Sequence, residues 1–441
     1  MNATGSHVSA SFSGQAESAQ LSHARSDLIE PGHTTLLRLP NGEVRSIKLD
    51  GHSNISLGRF GSFAANELIG QSYGLSFEID NKKLKLMRPP TIQDLEDTEA
   101  TNELINDGQF VQPLTSEEID TLKKSGVHAS EIIKKQVEMH ATYALKTEYS
   151  KEKYKKRKEA KYGKYFTVVE PTLFNICEYW FAKDKTRTRE IRIDTLSQMI
   201  TLCNIRPDGR YLVVDDAGGM VVSAVLDRIG GIGRIFTICD VDSPPTYPVL
   251  THMNYPKNVL DSVISSLNWL TLEEDYIPGT LASEDHASQA KSEKQKSRLN
   301  KRKAAADTLQ GLREELYAGG FDGLLVASEY DPLSIMDKLS PYLAGSASIV
   351  VHNPYMQILA DLQGELRGKP QYLGPTVSES WTRRYQVLPG RTHPFMTTSG
   401  SGGFLLHTIK VYVHHCAPDN LTLRSWVDTT TRQRIPSWPI A

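Results

Sequence analysis

The run Asp216-Ala-Gly-Gly-Met-Val-Val222 directly follows the apolar segment Tyr211 to Asp215 and opens a second apolar stretch. A strand that passes through a glycine turn into a helix can seat a nucleotide or S-adenosylmethionine, because small residues let the ligand approach the backbone closely. Gly218 matches the first glycine of an acidic-x-G-x-G-x-G loop, and Gly219 follows it. Met220 and Val222 then stand where the second and third glycines belong, so the degenerate loop Gly218, Gly219, Met220, Val222 is expected to be blocked and to bind no cofactor. Two other readings stay open: an ordinary turn that never held a ligand, and a remodelled turn that still does. Asp240 ends the next apolar segment, where such folds often place a carboxylate for ribose hydroxyls, although Asp after a strand is common.

Charge suggests a second chemistry. Lys151, Lys153, Lys155, Lys156, Arg157, Lys158, Lys161 and Lys164 lie within one short stretch, and exposed cations of this density neutralise RNA phosphates and release counterions. On a helix, Lys151, Lys155, Lys158 and Lys161 lie on or near one side, with Lys153, Arg157 and Lys164 extending the charge around it. Tyr154 and Tyr162 either stack on bases or brace the helix. The alternative is a solvated charged linker. A second candidate is Trp381-Thr-Arg-Arg-Tyr385 with Arg391 and His393 beyond it; Arg383, Arg384 and Tyr385 are the expected RNA contacts there, Arg383 foremost. Alternatively Trp381 and Tyr385 anchor a core or an interface and the arginines pair with acids. Arg38 and Arg59 are weaker candidates.

The net formal charge of -2 excludes the bulk basicity of a DNA-coating protein, so any nucleic-acid role rests on how charge is distributed. Residues 123–164 hold 13 basic against 5 acidic side chains and residues 283–303 hold 7 against 3, which leaves an acidic body with two basic appendages.

The elements that would position these groups follow from pattern. With 441 residues, 39% hydrophobic, the chain can bury one or two cores. Residues 1–32 read as a disordered Ser-, Ala- and Gln-rich leader. Alternating segments Thr35 to Leu39, Val44 to Leu49, Leu75 to Ile79 and Lys83 to Met87 predict a small antiparallel barrel or sandwich ending near Met87, within an N-terminal domain of residues 33–115. Thr115-Ser-Glu-Glu118 is a capping box that starts a helical basic linker over 116–190, with a second helix from Ser130 running on into the Lys-rich run. Residues 191–411 alternate strand and helix: a helix at Thr195 to Leu202, then strands at Tyr211 to Asp215, Ile235 to Cys239, Gly323 to Ala327, Ala347 to His352 and Phe404 to Val411. These predict a doubly wound, mostly parallel, Rossmann-like α/β sheet. The charged insertion 283–306 is expected to be mobile, and residues 412–441 form a tail of no assigned function. Cys177, Cys203, Cys239 and Cys416 show no CxxC spacing, and each lies in or near an apolar segment, which suits a reducing compartment. No membrane-length apolar run or signal peptide is read, and we assign the nucleus, with the cytoplasm as the other reading. His52, His128, His140, His414 and His415 lack zinc-ligand spacing, so no metal is expected.

Several motifs in order resemble one family: SLGRFGSF (Ser56 to Phe63), KEKYKKRKEAKY (Lys151 to Tyr162), VVDDAGGMVVSAVLDRIGGIG (Val213 to Gly233), CDVDSPP (Cys239 to Pro245), SSLNWL (Ser265 to Leu270) and SESWTRRYQVLPGRTHP (Ser378 to Pro394). Over roughly His33 to Val411 the chain resembles the non-catalytic subunit of the eukaryotic tRNA (adenine-N1)-methyltransferase that modifies the T-loop adenine, position 58. The resemblance implies an N-terminal barrel and a methyltransferase-type domain that has lost cofactor binding. It further implies a catalytic S-adenosylmethionine-dependent sister subunit in a two-plus-two heterotetramer, with tRNA lying across both. An adenine N1 methyltransferase needs a proton acceptor after its fourth strand, and Ala327 stands there, which agrees with a silent subunit. Glu329 and Asp331 lie nearby but read as caps or turn formers. Gly218 to Gly233 and the apolar stretches Leu260 to Leu270 and Leu333 to Leu343, both read as helices, offer surface for a partner. The rival functions are an active RNA methyltransferase with a divergent cofactor loop and an RNA-binding translation-factor subunit.

Overall fold

The computed structural model describes residues 27–87, 115–125, 127, 129–140, 143, 148–241, 245–276, 293–388, 391–397 and 400–412. Short strands come first: β1 (Thr34–Arg38), β2 (Val44–Lys48), β3 (Asn54–Ser56), β4 (Ser62–Ala64), β5 (Ser76–Asp80) and β6 (Lys83–Leu86). Helices α1 (Ser116–Lys124), α2 (Ala129–Glu138) and α3 (Glu148–Tyr162) lead to β7 (Tyr165–Val169). β7 returns to the N-terminal sheet, whose antiparallel order is β2-β1-β7-β5-β6. Its alternation puts Phe166 and Val168 in the same core as Leu37, Phe63 and Phe77. Among the described residues, hydrogen bonding does not close this sheet into the expected barrel, because β2 and β6 remain its edges and β3 and β4 pair separately as a ribbon. The ribbon packs closely over the sheet: at Gly61 (φ +115) an added Cβ would stand 2.9 Å from Ile79 Cγ2.

The C-terminal unit contains α4 (Leu173–Lys183), α5 (Ile193–Leu202), β8 (Arg210–Asp215), α6 (Met220–Ile229), β9 (Arg234–Cys239), α7 (Lys257–Val263) and β10 (Ile264–Asn268). These are followed by α8 (Glu293–Tyr317), β11 (Phe321–Ala327), α9 (Pro332–Leu339), β12 (Leu343–Asn353), α10 (Met356–Arg367), β13 (Tyr372–Glu379), β14 (Tyr385–Leu388), β15 (Arg391–Pro394) and β16 (Phe404–Lys410). The sheet order is β10-β9-β8-β11-β12-β16-β13, parallel from β10 to β12 and antiparallel beyond. A parallel strand covered on both faces must be apolar on both, and β8 shows it. Tyr211 and Val213 join the core beneath α4, α5 and α6, while Leu212 and Val214 join the core that contains Leu316, Met336 and Leu362 of α8, α9 and α10. The strand order reverses between β8 and β11, so the glycine turn lies at the topological switch point, where open α/β sheets bind ligands.

The two units are joined through β1. Leu37 faces the N-terminal core, whereas Leu36 belongs to the core under α6. Asn254 clasps the β1 backbone reciprocally: Thr34 N–H donates to its Oδ1 at 2.8 Å and its Nδ2 donates to Thr34 O at 2.9 Å. His252 Nε2 meets Ser46 Oγ at 2.8 Å beside it.

Several expectations change. Order begins before residue 33, since Ile29 is buried and Leu28 bridges Ser72. Residues 165–169, assigned to the linker, are a central strand. Leu260 to Leu270 is not one helix: α7 stops at Val263 and the rest becomes β10 and a short 3-10 turn. The insertion 283–306 is helical from Glu293, where α8 begins, and its first part lies outside the described residues. The second linker helix ends at Glu138 before the separate α3. The capping box forms as expected, with Glu118 N–H donating to Thr115 Oγ1 at 3.3 Å and Thr115 N–H donating to Glu118 Oε2 at 2.9 Å. Cys177, Cys203 and Cys239 carry no disulfide; Cys416 and the tail from residue 413 lie outside the described residues.

Candidate functional site

The glycine turn is built around Asp215, the last residue of β8. Its carboxylate accepts N–H bonds from Ala217 at 2.8 Å, Gly219 at 3.2 Å and Val222 at 2.9 Å, which holds the turn and serves the open donors of the N-cap Gly219 and of Val222 at the start of α6. Burial pushes its pKa up to about 6 against those three bonds. Gly218 (φ +68) and Gly219 (φ +87) take the left-handed backbone that the turn requires. Met220 and Val222 are completely buried members of the core under α6.

What lies against the turn is Tyr247, from the segment after β9. A Cβ added at Gly219 would stand 2.5 Å from Tyr247 Cβ and 2.9 Å from its Cδ1, so the ring rests directly on the backbone that a ligand would approach. Burial raises the Tyr247 hydroxyl pKa, and a bond with Thr237 partly offsets this. The neighbouring carboxylates are also engaged. Asp216 accepts from Ser328 Oγ and from Glu329 N–H at 3.2 Å, and Tyr330 Oη donates to Asp240 Oδ2 at 3.0 Å. Ala327 is buried beside Asp215, its register partner across β8 and β11. Asp331 caps α9 by accepting from Ser334 N–H at 2.9 Å. Tyr247, Ser328 and Tyr330 escaped sequence reasoning because nothing in their spacing announces the contact.

The basic helix α3 divides its cations. Lys153, Lys155, Lys156, Arg157, Lys161 and Lys164 are exposed, whereas Lys151 and Lys158 are half-buried. Lys158 lies over the Tyr154 ring at 5.0 Å, and burial lowers its pKa. Tyr154 packs edge-on against His140 at 4.9 Å, and Tyr162, buried, accepts from Gln136 Nε2 at 3.5 Å. Both tyrosines therefore brace α3 on α2 and are not presented to bases. Lys156 pairs with Glu152 at 2.6 Å. Six of these cations, Lys164 just beyond α3 among them, are thus exposed to solvent, while Lys151 and Lys158 are half-buried.

Arg383 and Tyr385 are exposed before and within the β14–β15 hairpin, and Trp381 is 71% exposed. Arg384 is less available, because it pairs with Glu178 of α4. This segment is held by Arg192, which no sequence motif marks. Its guanidinium donates to both Asp194 oxygens at 2.6 and 2.7 Å, to Ser380 O at 3.1 Å and to Gly400 O. Arg38 lines a cavity of about 710 Å³ between the two units together with Lys183 and Arg384. Arg59 instead donates to Ala160 O at the end of α3. The structure does not bring α3 and the hairpin into one cluster by any described contact. The side chain of Arg391 lies outside the described residues.

A mostly parallel sheet with helices on both faces and a strand, glycine turn and helix at its switch point define a Rossmann-like fold of the methyltransferase type. A SAM-dependent O-methyltransferase of Thermotoga maritima superposes with a TM-score of 0.50 at 13% identity, over 88% of this chain and 96% of that one. The chain belongs to the Gcd10p family, whose model matches residues 28–306. It is 29% identical to the tRNA (adenine(58)-N(1))-methyltransferase non-catalytic subunit of Debaryomyces hansenii, over 87% of each chain. It is 30% identical to the protein of the same name from Schizosaccharomyces pombe, over 87% of this chain and 92% of that one.

Proposed function

We propose that this chain is the non-catalytic, tRNA-binding subunit of a tRNA (adenine-58, N1)-methyltransferase. It supports a catalytic S-adenosylmethionine-dependent sister subunit in a two-plus-two heterotetramer in the nucleus. The observation that carries this reading is Tyr247 lying on Gly219, which fills the place where a cofactor would meet the backbone. Ala327, in place of a proton acceptor, supports it, as does the likeness to relatives named non-catalytic subunits. The N-terminal unit acts in this reading as a barrel-like platform, and the exposed cations of α3 with Arg383 and Tyr385 of the hairpin segment hold tRNA phosphates and bases.

Calorimetric titration of the purified chain with S-adenosylmethionine is expected to show no binding in the micromolar range. Co-expression with the sister enzyme should yield a complex whose mass fits two copies of each chain. Micromolar cofactor binding by the chain alone would return it to the active methyltransferases.

The RNA role has its own test. Replacing Lys155, Lys156 and Arg157 with Ala should flatten the slope of log affinity against log salt for tRNA by about 2–3 units. An unchanged slope would assign these cations to solvation.

A further inference from the structure

Helix α8 changes character along its length. In its C-terminal part Leu309, Leu312 and Leu316 recur on one face and pack against the core that holds Phe321 and Val326 of β11. Arg313 fixes its height on the sheet, donating to Glu273 O at 2.6 Å and to Tyr276 O at 3.1 Å. Both carbonyls belong to the segment after β10, so at Arg313 the helix is level with the carboxyl edge of the sheet. Because α8 leads into the amino end of β11, it runs against the strands, and its earlier turns stand beyond that edge. There the leucine face becomes basic. Stepping back from Leu312 and Leu309 by the helical spacings of three, four and seven residues reaches Arg302, Lys301, Arg298 and Lys294. All four are exposed, and among the described residues no ion pair neutralises them. The acids Glu293 and Asp307 and the cations Lys296 and Lys303 turn to other sides of the helix.

At a rise of 1.5 Å per residue the basic stripe is about 12 Å long and lies roughly 16–29 Å past the level of Arg313. It is therefore the core-facing side of the helix, continued past the point where there is a core to face. Four cations in a row without an acid among them suit a partner with regularly repeated negative charge. The hairpin segment leaves the same edge of the sheet: β13 ends at Glu379 opposite Phe404 of β16, which faces Asn353 at the carboxyl end of β12. From β10 to β16 that edge spans five strand spacings, about 24 Å at roughly 4.8 Å each. One polynucleotide lying along it meets Arg383 at one end and the α8 stripe at the other. We propose that Lys294, Arg298, Lys301 and Arg302 form an RNA-phosphate clamp, separate from α3, that grips RNA lying along the carboxyl edge of the sheet. This rests on the tRNA-binding reading and adds to it a site that the charge of α3 does not supply.

The test is the salt dependence of binding between the full chain and a tRNA transcript. Replacing Lys294, Arg298, Lys301 and Arg302 together with Gln should flatten the slope of log affinity against log salt by about 3 units, since each phosphate contact contributes roughly 0.7–0.9. The melting temperature should stay that of the parent, because Gln is a good helix former and the four side chains are exposed. The control pair Lys296→Gln with Lys303→Gln removes charge from the same turns but from the opposite side, and should change the slope by less than about 1 unit. A parent-like slope in the stripe variant overturns the clamp, and so does an equal loss per cation in stripe and control, which would mean diffuse attraction only. Parent-like tRNA binding combined with lost nuclear accumulation of the stripe variant in cells would give the stripe to an acidic import receptor instead. If the α3 variant loses slope and the stripe variant does not, the clamp alone fails and the tRNA-binding reading stands. Absence of tRNA binding by the parent chain overturns both.

Discussion

Phe166→Ala is expected to destabilise the N-terminal sheet by about 3–5 kcal/mol, the usual cost of truncating a buried aromatic side chain. Phe166 is fully buried in β7, stacked on Phe63 at 5.0 Å between ring centroids and tilted against Phe77 at 6.0 Å. It lies where the ribbon β3–β4, the strand β5 and the centre of the sheet meet, so no neighbour can move in without breaking a strand pair. Because the core around Phe166 is separate from those on the two faces of the C-terminal sheet, the effect should be read locally: amide hydrogen exchange in β1 and β5 should accelerate, while β8 and β11 keep their protection. Phe174→Ala is the control. That side chain is 55% exposed on α4, and its removal should change stability by no more than about 0.5 kcal/mol. A loss under about 1 kcal/mol for Phe166→Ala, or faster exchange in both units alike, would contradict the central position of β7. A fragment ending at residue 115 should likewise fail to fold, since removing β7 strips the pairing edges of both β1 and β5.

That strand also shows what pattern reading can reach. Tyr165-Phe-Thr-Val-Val169 alternates correctly, but it follows a long charged helix, and its partner Leu36 to Arg38 lies over a hundred residues earlier, so local sequence supplies no reason to pair them. The stretch Leu260 to Leu270 failed for another reason. A short apolar run has no period long enough to separate strand from helix, and the chain uses both in succession. Where period and punctuation agree, the reading holds: the strands at β8, β9, β11, β12 and β16 match expectation within a few residues, and so does the capped start of α1. At the site, glycine spacing located the turn. It gave no hint of Tyr247, because that ring reaches Gly219 only through the path of the segment after β9. Charge density likewise located α3 but gave no hint that Tyr154 and Tyr162 are held inward, since their contacts come from His140, just after α2, and from Gln136 of α2.

The same logic makes Arg192 the residue on which the hairpin depends, and Arg192→Ala should cost about 3–5 kcal/mol, the range for breaking a buried ion pair from one side. Arg192 is 4% exposed and joins α5 to two carbonyls of the segment that carries the hairpin, Ser380 O and Gly400 O. Thr382 Oγ1 also donates to Asp194, at 2.7 Å, and Thr195 Oγ1 meets Ser380 Oγ at 2.8 Å, so one ion pair organises both ends of the segment. Burial works to raise the Asp194 pKa, but the bonds from Arg192, Thr382 and Ser380 together hold it well below the usual carboxylate range. A depressed folded-state pKa stabilises the fold above the unfolded value of about 3.9, and that contribution fades as pH falls below it toward the folded value. The parent protein should therefore lose stability below about pH 4, and Arg192→Ala should lose much of that dependence because the carboxylate is no longer paired. Arg192→Lys should not restore the parent, since an ammonium cannot donate in parallel to both carboxylate oxygens and reach two carbonyls as well. Limited proteolysis gives the direct readout. Cleavage within residues 381–397 should accelerate in both variants, and tRNA affinity should fall with the loss of a fixed Arg383. Parent-like protection of that segment in Arg192→Ala would mean that the Arg384–Glu178 pair suffices to hold it.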